Sequence, residues 1–132
     1  MKQIIICDAA YTEFVGHEVT HDYLRSLVKR RSTRLDCHVP LVTKDGKKVH
    51  LTISCYTFAR ANVSQDHAIR KIITEAVTVQ ASAWDLTTLV NAIVSGEISR
   101  DLFKAVKIIY PTRRVEVIKS KIEFVAARIS TV

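Results

Sequence analysis

Two periods run along this chain. Apolar residues at every second position mark strands, and apolar residues three and four apart mark amphipathic helices. Gln3 to Cys7 carry a short continuous apolar run that reads as a buried strand. Residues 8–19 mix small, acidic and aromatic side chains around Gly16 and read as loop. Thr20 is placed as a helix N-cap, with Asp22 in the first turn where the helix dipole favours an anion. Tyr23, Leu24, Leu27, Val28 and Leu35 fall on one helical stripe, so the pattern predicts a helix from Thr20 to about Leu35. On that helix Arg25 and Lys29 lie opposite the stripe, and Arg30 and Arg34 flank it. Arg31 projects into the stripe, so it must snorkel out or find a partner.

A hairpin follows. Cys37, Val39, Leu41 and Thr43 alternate, Lys44-Asp45-Gly46 turns, and Val49, Leu51, Ile53 and Cys55 alternate on the return. A two-residue turn would put the two apolar sets on opposite faces. A three-residue turn with Gly46 left-handed pairs Leu41 with Val49 and Val39 with Leu51, leaving one face apolar on both strands. Pro40 then faces outward, which suits an edge strand. Ser64 reads as the N-cap of a second helix, with Asp66 in its first turn. Its stripe is Ile69, Ile72, Ile73, Ala76, Val77 and Gln80, and it runs to about Ala81. Asp85 caps a third helix with Leu86, Leu89, Val90 and Ile93 inward, ended by Gly96. Ile98, Leu102, Ala105, Val106 and Ile109 mark a fourth, closed by Pro111. Residues 113–119 alternate charge with valine as a last strand, and Ser120 to Val132 read as an extended tail. The order β-α-β-β-α-α-α-β is an α+β domain, with the hairpin and last strand in one antiparallel sheet packed by helices.

The length of 132 residues suits one domain, so residues 1–132 are read as a single unit. Three glycines and two prolines exclude low-complexity and collagen-like classes. No apolar run is long enough to span a bilayer, and no signal-type segment opens the chain, so a cytoplasmic protein without a membrane partner is expected. Charge changes the picture more. Twenty Lys and Arg against thirteen Asp and Glu give a net +7, and a basic domain of this kind serves a polyanion, most often nucleic acid. The excess is uneven. Residues 21–34 carry Arg25, Lys29, Arg30, Arg31 and Arg34 against Asp22 alone, and the stretch after residue 106 is basic again. Arginine forks match phosphate geometry, so these blocks are candidate phosphate contacts if the fold joins them. Arg60, Asn62 and Gln65 ahead of the second helix, with Arg70 and Lys71 a turn later, add further polar candidates at a helix N-terminus.

Other chemistry finds little support. Cys7, Cys37 and Cys55 are an odd number without CxxC spacing, which argues against a disulfide framework. His17 and His21 straddle the expected N-cap, and no His/Cys pair has a zinc-type spacing. Cys37, His38, His50 and Asn62 can be assembled on paper as a nucleophile set, but most sequences of this length allow as much. The isolated glycines form no phosphate-cradling loop. No metal, cofactor, small-molecule substrate or catalytic activity is expected.

Several ordered strings resemble one family. They are Thr20 to Leu35, the turn Val42-Thr43-Lys44-Asp45-Gly46, Phe58-Ala59-Arg60-Ala61-Asn62-Val63-Ser64-Gln65, Ala68 to Ile73, Gly96-Glu97-Ile98, and Lys107 to Val117. Together, collinear over residues 14–122, they resemble the S3Ae (S1e) family of archaeal and eukaryotic small-subunit ribosomal proteins. The compact link from Phe58 to Gln65 looks archaeal. Residues 1–13 and 123–132 diverge from the family pattern, and the family's strand-rich N-terminal portion is not found ahead of the matching part. The resemblance implies a structural, non-catalytic protein that binds small-subunit ribosomal RNA beside neighbouring ribosomal proteins. It carries RNA contact onto Arg30, Arg31, Arg34, Arg60, Asn62, Gln65, Arg70, Lys71, Arg113 and Arg114, and the charge map adds Arg25 and Lys29. Two other classes make different predictions. A family-derived paralogue would act as a free RNA- or protein-interaction module, and a small Cys/His enzyme would show a low-pKa thiol.

Overall fold

The structure is a computed structural model and describes residues 10–123. The strand expected at residues 3–7 and most of the expected tail lie outside the described residues. Eight elements follow in order: β1 (Gly16–Glu18), α1 (His21–Leu27), β2 (Arg34–Val42), β3 (Lys48–Thr57), α2 (Val63–Ala83), α3 (Leu86–Ser95), α4 (Glu97–Lys107) and β4 (Thr112–Glu123). The order is the β-α-β-β-α-α-α-β that the pattern predicts. Its first described strand, however, sits inside the stretch read as loop. Gly-His-Glu has no apolar alternation to announce it. It is held by its partner, with Gly16 opposite Lys121, His17 opposite Ser120 and Glu18 opposite Lys119. Glycine is required there, because a Cβ on Gly16 would lie 2.5 Å from the Ser120 carbonyl oxygen.

The four strands form one antiparallel sheet in the order β1-β4-β3-β2. Leu41 pairs with Val49 and Val39 with Leu51, the register of the three-residue turn, and Gly46 is left-handed at φ 78°. β2 is the edge strand, and Pro40 is exposed on it. β4 holds two extra residues opposite β3: Arg113, between the Thr57–Thr112 and Tyr56–Arg114 pairs, and Ile118, between the Ile53–Val117 and Thr52–Lys119 pairs. The bulge at Ile118 switches the parity of the strand. Val115 and Val117 are buried before it, Ser120 and Ile122 after it.

One face of the sheet carries the main core. Leu35, Val39, Leu51, Ile53, Val115 and Val117 pack against Ile69, Ile73, Val77, Leu89, Ile98 and Leu102 of the three later helices. Each such side chain contributes about 1.5–3 kcal/mol by leaving water. α2 lies over β2 and α4 over β4. The opposite face is smaller and is capped by α1, whose buried Leu24 and Leu27 sit on the side of Tyr56 and of the bulged Ile118.

Helix α1 ends eight residues earlier than the stripe suggests. Val28 is extended, Arg31 is left-handed at φ 60°, and β2 begins at Arg34. Leu35 fits the helical stripe, but it also opens the alternation Leu35, Cys37, Val39, Leu41, and those four buried side chains pair with β3. The ladder wins because a longer helix would forgo it. Consequently Lys29, Arg30, Arg31 and Arg34 are not helical. α2 starts earlier than expected, capped by Asn62 rather than Ser64, and reaches Ala83. α3 and α4 match the pattern, with Asp85 at the N-cap and a left-handed Gly96 between them. The hairpin turn docks on α3, where Asp45 Oδ2 accepts the Leu86 N–H at 3.2 Å.

Candidate nucleic-acid interface

Three connections meet at one end of the sheet: 28–33 between α1 and β2, 58–62 between β3 and α2, and 108–111 between α4 and β4. Threonines join the first two. The Thr57 N–H donates to the Thr33 carbonyl at 3.1 Å, and the Thr33 N–H donates to Thr57 Oγ1 at 2.9 Å. Thr57 Oγ1 donates to the Ala59 carbonyl at 2.6 Å, while Thr33 Oγ1 accepts the Ala61 N–H at 3.1 Å. The third connection is tied in by Tyr110, whose hydroxyl donates to the Arg60 carbonyl at 2.8 Å, and by the Phe58 N–H, which donates to the Pro111 carbonyl at 3.4 Å. Arg113, half-buried, donates to the Leu27 carbonyl at 3.2 Å and holds the end of α1 against β4. These bonds satisfy loop backbone that would otherwise cost free energy on burial.

The cations stand on this frame. Lys29, Arg30 and Arg31 are exposed on the first connection, where Ser32 Oγ donates to the Lys29 carbonyl at 2.5 Å. Arg31 and Ser32 line an open hollow of about 570 Å³ together with Ala59 and Arg60 of the second connection. Residues 29 apart in sequence are thus brought together, with neither arginine in an ion pair among the described residues. Arg25 and Arg34 border a second hollow beside α1, with Glu18, His21 and Ile118. Arg70 and Lys71 are exposed on α2 and line neither hollow.

The remaining expected contacts have structural partners. Arg34, Tyr56 and Arg114 form one row across three strands, and Asp36, Ser54 and Glu116 the next. Arg34 pairs with Asp36 at 3.0 Å and Arg114 with Glu116 at 2.7 Å, so each carries a carboxylate of its own. Burial opposes ionisation of Asp36, but the Ser54 hydroxyl and the Arg34 guanidinium outweigh it and hold the carboxyl below its ordinary range. Gln65 is engaged in capping, since its Oε1 accepts the Asn62 N–H at 3.0 Å. Sequence reasoning missed Arg100 and Lys104 of α4, which border a groove with Arg113 and Arg114. Their spacing of one helical turn was visible, but the apolar stripe drew the reading of that helix.

The Cys/His set does not assemble. Cys37 is buried in the core, while adjacent His38 is exposed and bonded to Thr52 Oγ1 at 3.1 Å. Burial pushes the Cys55 thiol up to about 12, which keeps it protonated. Cys7 lies outside the described residues. Among the described residues no cluster of three metal-ligating side chains occurs, and no helix is long and apolar enough to cross a membrane.

Comparison with known proteins bears on what such a basic end serves. The sequence profile of the Ribosomal S3Ae family matches residues 5–125. Small ribosomal subunit protein eS1 of Methanoregula boonei is 75% identical over 124 residues, which is 94% of this chain and 62% of that protein. The same-named protein of Methanoculleus marisnigri is 59% identical over 120 residues, 91% of this chain and 61% of that protein. That of Sulfolobus acidocaldarius is 39% identical over 115 residues, 87% of this chain and 58% of that protein. The chain therefore spans about three fifths of the length of these relatives.

Proposed function

We propose, from the premise that the chain belongs to the Ribosomal S3Ae family, that it is a structural, non-enzymatic constituent of the small ribosomal subunit. It holds ribosomal RNA by its phosphates at the basic end of the sheet, in the cytoplasm, beside neighbouring ribosomal proteins. The observation that carries this reading is the hollow shared by Arg31 and Arg60 on two connections stapled by Thr33 and Thr57. Held loop backbone lowers the ordering cost of binding, and two guanidinium forks that pair with no carboxylate among the described residues can grip phosphate. Lys29 and Arg30 extend the grip along the same connection. Arg25 and Arg34 flank it, and Arg70 and Lys71 add charge along α2. Arg113 and Arg114 supply charge behind the end while holding α1 and Glu116.

Affinity of this kind comes from counterion release and falls steeply with salt. The test is titration of the full chain against a fragment of small-subunit RNA at several salt concentrations. Arg31→Glu with Arg60→Glu is expected to weaken binding at least tenfold at low salt, to flatten the salt dependence, and to leave the melting temperature unchanged. Equal affinity and an equal salt slope in a folded double variant would overturn the assignment.

A further inference from the structure

β4 is twelve residues long, but β1 pairs only with Lys119, Ser120 and Lys121. The chain then leaves the sheet as α1. Among the described residues no strand flanks Arg113–Val117 on the side away from β3. A groove of about 580 Å³ runs beside this segment, between it and the corner of α3 and α4. Buried Val115 and half-buried Phe103 give it apolar lining. Arg100, Lys104, Arg113 and Arg114 border it, against one acid, Glu116, which Arg114 already holds at 2.7 Å.

We propose that this groove takes an extended protein segment of alternating acidic and apolar residues, which adds to the sheet as a strand beside Arg113–Val117. A strand edge offers unpaired N–H and C=O groups, and these recruit another backbone. Alternation then sends every second side chain of the added strand toward Phe103 and Val115. Arg100 and Lys104, one turn apart on α4, select carboxylates for the charged positions. A phosphate backbone would meet the cations but leave the strand edge and the apolar lining unused, so the observations favour a peptide over RNA. The site is separate from the Arg31–Arg60 hollow, and its failure would leave the RNA reading standing.

The experiment uses the full chain and three probes: a fluorescent ten-residue peptide alternating Glu with Val, the same peptide N-methylated at alternate residues, and a twenty-nucleotide oligouridylate. The Glu/Val peptide is expected to bind and to slow amide exchange within residues 113–117. N-methylation, which keeps the charge but blocks the ladder, is expected to weaken binding at least tenfold. Arg100→Glu with Lys104→Glu, both exposed on α4, is expected to do the same without lowering the melting temperature. Equal binding of the N-methylated peptide would overturn strand addition. Loss of oligouridylate binding in the α4 variant, with peptide binding unchanged, would reassign the groove to RNA.

Discussion

Arg31 holds φ at 60°, a conformation that costs an L-residue about 1–2 kcal/mol relative to right-handed backbone. Its side chain faces the hollow shared with Arg60, so the strain sits where binding is proposed. Arg31→Gly is therefore expected to raise stability by up to about 1 kcal/mol while lowering RNA affinity. Chemical denaturation and RNA titration of the same preparation check both; a loss of stability would show that the side chain supports the fold. Asp36 links stability to pH. Its carboxyl lies below the ordinary range only in the folded state, so its contribution is complete above about pH 4 and is lost as pH falls through the lowered value. Asp36→Asn should lower the melting temperature at pH 7, and the difference from the parent should shrink below pH 4. A constant difference across that window would place the effect in packing instead.

Among the elements, Gln65 separates two roles that its sequence position allows. As the N3 side of a capping pair, its loss to Ala is expected to cost about 0.5–1 kcal/mol of stability and no RNA affinity. A drop in RNA affinity at unchanged stability would return it to the interface. The elements that were legible in sequence are those whose local signals agree. The hairpin register followed from parity and Gly46, and α3 and α4 followed from Asp85, Gly96 and their stripes. The end of α1 was not legible, because Leu35 satisfies both the helical and the strand period, and no glycine or proline marks the break at Val28. β1 was not legible either, since three residues without alternation are made a strand by Lys119–Lys121, a hundred residues away. For the interface, the charge blocks were visible but their grouping was not. Which arginines are free depends on cross-strand neighbours such as Asp36 and Glu116.

For the whole molecule, the sheet has unequal faces. The helical layer on one face supplies the bulk of the core, while the other is a polar surface capped in part by α1. The proposed RNA contacts gather where three connections meet, so the layers act as a brace for loops. An association governed by that end fixes the orientation of the molecule on a polyanion as well as its affinity.

The strand order has a consequence for synthesis. β4 comes last among the described elements, yet it lies inside the sheet between β1 and β3. A chain emerging from the amino terminus can close the β2–β3 hairpin and lay α2 on it early. It can complete neither the main core nor the seat of α1 until Val115, Val117 and Ile118 have emerged. Until β4 has emerged, then, the nascent protein shows apolar helix faces and an unfilled sheet edge, the kind of surface that rapid synthesis of the missing strand or a chaperone covers.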